Sequence, residues 1–365
     1  MIDAFAKPEL RDLARKFTRN EIVPHLDAWE RAGEVPRDLH RKAAELGLLG
    51  IAFPEEVGGE GGDLLDSIVV TEEIIQSGGS SGLIAALFTH GIALPHIVAS
   101  GDANLIDRYV RPTLRGERIG CLAITEPDGG SDVAGIRTTA KADGDSYTVN
   151  GTKLFITSGA RADFATTAVR TEDGVRLVVA EGFTVTRRLE KMGWHCSDTA
   201  ELSFVDVRVP RSHDVGGIQT LLAHFAAERL SLAVQCYATA QRCLDLTLAW
   251  VRDRHTFGRP LASRQLVRHR LAEMARQVDV ARTYVRHTAL RVASGDQLVT
   301  EVAMAKNTAV AACDHVVDQA VQLHGGLGYL RDAEVERHYR DARIMGIGGG
   351  TTEIMNEIIA KQLGV

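Results

Sequence analysis

Glu228 is the residue in this chain whose type and setting most invite chemistry. The stretch LLAHFAAERLSLAVQC (residues 221–236) has helical periodicity, with Leu221, Leu222, Phe225, Leu232 and Cys236 on one stripe. Glu228 follows Phe225 by three positions and precedes Leu232 by four, so it points along that apolar stripe. A carboxylate there is costly unless it is paired or put to use. Two readings stand: a Glu ion-paired to an arginine inside a bundle, or a proton acceptor kept reactive by desolvation. Arg229 has the wrong spacing for the first, because adjacent helical residues do not face each other.

Two further segments carry polar groups suited to a flat ligand. CLAITEPDGGSD (residues 121–132) reads as a strand and a Pro-Asp-Gly-Gly turn. KLFITSG (residues 153–159) puts Phe155 and Thr157 two apart on a strand face. Phe155 could meet a heterocycle while Thr125, Ser131 and Thr157 hydrogen-bond its polar edge. A fourth segment, GIGGGTTE (residues 346–353), crowds glycines ahead of a helix start, where backbone can approach a ligand closely. It offers almost no side chain for chemistry, so the reactive group must come from elsewhere.

The elements that must position these residues fall into three regions. Residues 1–119 have a helical pattern broken by Gly- and Pro-rich stretches such as FPEEVGGEGG. Residues 120–213 change to short alternating runs, with Asp143-Gly144 and Asn150-Gly151 as hairpin signals, which predicts a small antiparallel barrel or sandwich. Residues 214–365 return to long helices. Val267, Leu271, Met274, Val278, Ala281, Val285, Ala289 and Val292 keep a three-four spacing, as do Leu298, Val302, Ala305, Ala309, Ala312, Val316, Ala320 and Leu323. Persistent apolar seams of this kind predict a helical bundle.

Totals narrow the function classes. The 365 residues are 45% hydrophobic and 25% charged, with a formal net charge of −6. Arginines alternate with acids, as in LRDAEVERHYRDAR, which reads as solvated or ion-paired helix faces, and no nucleic-acid partner is expected. Neither a membrane-length apolar run nor an apolar signal core is present, so a cytoplasmic protein without integral membrane association is expected. The five cysteines are scattered and without a CxxC pair, which argues for reduced thiols and no metal site. The glycine clusters fail the dinucleotide fingerprint, so no nicotinamide domain is expected.

TEPDGGSD, KLFITSG, MGWHCSDT, RHTFGRPL, QLHGGLGYL and GGGTTEIM, in that order, resemble the acyl-CoA dehydrogenase family over essentially the whole chain. The resemblance implies an N-terminal all-α domain, a middle β domain, a C-terminal four-helix bundle and, usually, a homotetramer. It implies FAD between the β domain and the bundle, with its adenosine end reaching a neighbouring subunit. By motif, Leu122, Ile124, Thr125, Ser131, Phe155 and Thr157 would line the flavin, with Phe155 where the family most often has Trp. Arg254, Phe257, Gln265, Gln322, Gly325 and Gly326 would grip the pyrophosphate and adenosine, and Thr351 and Glu353 would make the last cofactor contacts.

Many members place a catalytic glutamate just before the last Gly-Thr, and here that slot is Gly349. The isovaleryl-CoA and long-chain members place theirs in an ERL motif instead, and Glu228-Arg229-Leu230 falls on it. The resemblance thus implies that Glu228 takes the α-proton of an acyl-CoA while flavin accepts the β-hydride. The thioester carbonyl would sit between a ribityl hydroxyl of FAD and the Gly349 N–H. The product would be a trans-2-enoyl-CoA, with electrons passing to electron-transfer flavoprotein. Ser131, Ser197, Thr199, Arg229 and Gly348 are candidates for substrate contacts. GVRLVVAEGFTVTRRLEK lacks the family's customary Pro-Gly loop, so no contact carries over from it. An acyl-CoA oxidase or flavin monooxygenase, with oxygen as electron acceptor on the same fold, is an alternative, and a non-catalytic flavoprotein or partner subunit would suit the vacant Gly349 slot.

Overall fold

A computed structural model describes residues 4–365. Two compact units emerge. One gathers residues 4–27, Leu64–Ser81 and Ala226–Val365, and the other Ala28–Asp63 and Gly82–Phe225.

The first unit is helical. Its principal helices are α1 (Pro8–Phe17), α2 (Leu64–Gln76), α3 (Ile218–Asp253, of which residues 218–225 cluster with the other unit), α4 (Gln265–Ala293), α5 (Val299–His324), α6 (Glu334–Ala342) and α7 (Thr352–Leu363). The seams read from the sequence form the core: from Val267 to Ala289 on α4 they are buried, and from Leu298 to Leu323 along α5 all eight are. Val292 is half-buried, near the α4 end. α5 packs against α4, α6 and α7, and α1 packs against α2. Polar ties lock α3 to its neighbours: the Gln76 amide donates to Ala238 O at 2.8 Å, Arg242 pairs with Glu334 at 2.7 Å, and the Trp250 indole donates to Leu323 O at 3.1 Å. No single described helix is long and apolar enough to cross a membrane.

The second unit is built on an eight-stranded sheet, β1 (Gly120–Ala123), β2 (Thr139–Asp143), β3 (Ser146–Thr157), β4 (Phe164–Thr171), β5 (Gly174–Ala180), β6 (Thr184–Arg188), β7 (Thr199–Pro210) and β8 (Asp214–Gly217). Its order is β6-β7-β3-β2-β4-β5-β8, with β1 beside β4. Alternation along β4 and β5 feeds two cores. Phe164, Ala168, Leu177 and Val179 face one with Tyr109 and Leu221, while Ala165, Val169, Val178 and Ala180 face another with Leu202 and Phe204. Residues from β1 through β5 and β7 share that second cluster, so the sheet is rolled around its own interior.

The structure corrects two expectations here. The sheet is mixed, because β4 pairs in parallel with both β1 and β2. Asn150-Gly151 is not a hairpin turn. Asp143 and Ser146 close the hairpin between β2 and β3, around Gly144 at φ 58°, while Gly151 lies inside β3 at a register shift against β7. Glycine is needed there for approach: a Cβ would sit 2.5 Å from Thr138 Oγ1.

Candidate active site

Glu228 lies in the first third of α3, half-buried, and the stripe around it is largely as the spacing predicts: Leu221, Leu232 and Cys236 are buried and Phe225 half-buried. Leu222 is the exception, 45% exposed, because it sits one position off the stripe. Among the described residues, Glu228 forms no ion pair and accepts no hydrogen bond. Burial raises its pKa, and the charges of Arg229 and Lys306 pull it back only in part.

The glycine loop faces this carboxyl. Following α6, a short turn at Arg343–Gly346 runs into Ile347–Gly350, where Gly349 (φ 62°) and Gly350 (φ 92°) take the left-handed conformation that glycine adopts freely. A Cβ built on Gly349 would lie 3.5 Å from Glu228 Oε1 and 2.5 Å from Leu232 Cδ1. The side-chain position at 349 and the carboxyl of Glu228 thus adjoin one space, which Leu232 also crowds. No backbone carbonyl among the described residues accepts from the Gly349 N–H, which leaves that donor for a ligand.

Three side chains hold the loop. Arg229 Nε donates to Gly349 O at 3.4 Å, and its guanidinium pKa is lowered by burial. Lys306, fully buried on α5, donates from Nζ to Gly348 O at 2.7 Å and to Gly350 O. Burial holds its pKa at about 8, against the pull of Cys236 and Glu228. Asn307 donates to Thr352 O at 3.0 Å and to Asn356 Oδ1 at 2.8 Å, fixing the start of α7. Thr351 caps that helix by accepting from the Ile354 N–H at 3.2 Å, and exposed Glu353 sits in its first turn. Lys306 and Asn307 were not singled out in the sequence. Their signal was a cation set among the apolar seam positions of the helix, AMAKNTAV.

A second surface of this unit is a groove of about 560 Å³ lined by Trp250, Arg254, Thr256, Leu323, Gly325 and Gly326, among others. It brings together three of the residues expected at the pyrophosphate and adenosine. Nothing lies within 4 Å of a Cβ built on Gly325 or Gly326, so their backbone is open to a ligand. The indole of Trp250 stacks on His324 at 5.4 Å and carries the Arg254 guanidinium on its ring at 5.7 Å. Beside it, His255–Thr256 and Arg259–Pro260 form a two-residue hairpin whose turn residues, Phe257 and Gly258, both have positive φ. Phe257 is held out at 95% exposure; Gln265, at the start of α4, and Gln322, near the end of α5, are exposed too.

In the sheet unit, Leu122, Ile124 and Thr125 are half-buried at the end of β1, and Ser131 is exposed in the turn beyond. Thr125 O accepts from Leu154 N at 2.8 Å, which ties this segment to β3. Beneath it, Lys153 Nζ bonds Ile124 O at 3.0 Å and Glu126 Oε1 at 2.8 Å. Burial raises the Glu126 carboxyl, but bonds from Lys153, Thr138 and Arg137 outweigh it and hold the group at about 2. A bulge puts two residues between inward Lys153 and Ile156 and thrusts Phe155 outward, 64% exposed at φ 61°, while Thr157 stays half-buried. An outward aromatic in a strained backbone state is an expense that a stacking ligand explains. Ser197 and Thr199 depart from expectation: both are buried, Ser197 fully, so neither side chain lies on an open wall for substrate.

Models of the acyl-CoA dehydrogenase N-terminal, middle and C-terminal domains match residues 6–117, 121–207 and 216–364. The chain belongs to the acyl-CoA dehydrogenase family. It is 36% identical to a probable acyl-CoA dehydrogenase, YngJ, of Bacillus subtilis (strain 168), over 97% of each chain. It is 37% identical to the mitochondrial long-chain specific acyl-CoA dehydrogenase of Mus musculus, over 97% of this chain and 85% of that one. A crystal structure of a probable acyl-CoA dehydrogenase from Mycobacterium abscessus superposes with a TM-score of 0.97 at 62% identity, covering 99% of this chain and 100% of that one. Members of the acyl-CoA dehydrogenase family bind FAD. The outward Phe155, the open Gly325-Gly326 backbone and the Arg254 groove suit a stacked ring system and a diphosphate, so the residues present fit that cofactor.

Proposed function

We propose that this acyl-CoA dehydrogenase converts an acyl-CoA thioester to its trans-2-enoyl-CoA, with Glu228 as the base that removes the α-proton. The observation that carries this reading is the 3.5 Å between Glu228 Oε1 and the Cβ position of residue 349. A carboxyl from α3 thus reaches the space that a side chain before the last Gly-Thr would enter.

An α-hydrogen beside a thioester is a weak acid, so a base with a raised pKa is better matched to it than an ordinary carboxylate. Glu228 meets that need through burial and must be ionised before substrate binds. The Gly349 N–H stabilises negative charge on the thioester oxygen as the proton leaves. When bound, FAD would supply the acceptor for the β-hydride, with electron-transfer flavoprotein as the partner that takes up the electrons. Leu122, Ile124, Thr125, Ser131, Phe155 and Thr157 would hold the flavin end of the cofactor. Arg254, Gln265, Gln322, Gly325 and Gly326 would hold its diphosphate and adenosine, and Thr351 with Glu353 would complete the site. Phe257, turned to solvent, would meet a neighbouring subunit's cofactor in a homotetramer. Gly348 would leave room beside the acyl group, its Cβ position meeting only Ile344, while Arg229 acts on substrate through the Gly349 peptide it holds. A cytoplasmic location accords with this reading.

Anaerobic titration of the FAD-loaded protein with acyl-CoAs of different length and branching tests it. At least one member of the panel should bleach the flavin absorbance. Failure of every member, with FAD bound, would refute dehydrogenation. Peroxide formed in step with substrate loss in air would instead mark an oxidase.

A further inference from the structure

Lys306 presents a cost that the fold alone does not require. Its ammonium is buried without exposure, and apolar residues flank it on α5 at Val302, Ala303, Ala309 and Val310. A methionine would fill much of the same volume without a charge to desolvate. Two of the three ammonium donors go to the carbonyls on either side of Gly349, those of Gly348 and Gly350.

That choice of partners has a geometric consequence. In a trans peptide the C=O and the N–H point in opposite directions. The Gly348 carbonyl and the Gly349 N–H belong to one peptide, so drawing the first onto Lys306 turns the second away from it. This peptide lies between two glycines, Gly348 and Gly349, the second at positive φ, and without a tether it could flip at little cost. A cation on the carbonyl also polarises the peptide and makes its N–H a stronger donor. The Arg229 bond to Gly349 O settles the next peptide in the same way.

We propose that Lys306 is a positioning residue for the reaction: by binding the Gly348 and Gly350 carbonyls it aims the Gly349 N–H at the thioester oxygen and strengthens it as a donor. This rests on the reading of that N–H as the carbonyl-oxygen donor.

The test uses the FAD-loaded enzyme, the best acyl-CoA of the panel, and acetoacetyl-CoA as an enolisable probe. Lys306→Met should lower kcat at least roughly 10-fold, a fraction of the loss expected when an oxyanion donor is removed outright, with KM changed less than about threefold. It should also raise the apparent pKa of bound acetoacetyl-CoA by about one unit, because the bound enolate loses its donor. A merely structural lysine would not move that titration. Glu228→Gln should cut turnover at least roughly 100-fold without raising the probe's pKa, since it removes no donor from the enolate oxygen and takes away a neighbouring negative charge. Should Lys306→Met fail to retain FAD, Lys306→Gln, which keeps donors but loses charge and reach, is read by the same two criteria. Unchanged kcat and unchanged probe pKa in the folded variant would overturn the proposal. Full turnover in Glu228→Gln would instead remove the base assignment and leave the lysine to be judged by the probe alone.

Discussion

Moving the carboxyl from position 228 to position 349 should restore little activity by itself and more once Leu232 is trimmed. The Cβ of a residue at 349 would stand 2.5 Å from Leu232 Cδ1, and the backbone there has φ 62°. A non-glycine residue in that conformation costs about 1–2 kcal/mol. Forcing the side chain against Leu232 adds about 1–3 kcal/mol of overpacking. If the loop relieves roughly 2–5 kcal/mol by leaving its working position, the competent population falls roughly 30- to 4,000-fold. A general base contributes roughly 100- to 10,000-fold, so the double change Glu228→Ala with Gly349→Glu comes out near break-even. Adding Leu232→Ala removes the collision and leaves only the backbone strain, a penalty of roughly 5- to 30-fold. The triple variant should therefore reduce flavin at least about threefold faster than Glu228→Ala alone. Stopped-flow measurement under anaerobic conditions, at saturating acyl-CoA, reads this directly. A triple variant no faster than Glu228→Ala, with FAD bound, would refute the claim that the two positions adjoin one space.

Two more outcomes follow from the same geometry. The raised pKa of Glu228 means that its contribution to folding is fully present below its ordinary value of 4.5 and is lost as pH rises through the raised value. Glu228→Gln should therefore melt above the parent near pH 8, the gap closing toward about pH 4; a lower Tm near pH 8 would show that the carboxylate is paired. Arg254→Ala should weaken FAD binding roughly 10- to 100-fold, the worth of a charge-assisted hydrogen bond, in a fluorescence titration. A change under twofold would mean that the groove beside Gly325 is not where the diphosphate lies.

What the sequence made legible follows from which physics is local. Helical seams are local, so the spacing from Val267 along α4 and from Leu298 along α5 marked buried faces correctly. Glu228 was legible for the same reason, as a charge where the period asks for an apolar residue. Asn150-Gly151 misled because a glycine that relieves close approach to Thr138 looks the same in sequence as one that makes a turn. Parallel pairing of β1 and β2 with β4 joins segments far apart in the chain, and alternation does not reveal the partner. Ser197 and Thr199 read as polar wall residues, yet the fold buries them. Lys306 escaped notice because its partners are backbone carbonyls more than 40 residues away, whose orientation no side-chain pattern encodes.

Single-turnover flavin reduction in Glu228→Gln, measured with FAD bound and no oxygen, bears most directly on the proposed base. The amide keeps the size of the side chain and its place on α3 but cannot accept the α-proton. Reduction by a good acyl-CoA should slow at least roughly 100-fold, the low end for losing a general base, with substrate affinity little changed. A rate within a few-fold of the parent would mean that the proton leaves by another route, and that the carboxyl facing Gly349 is not the base.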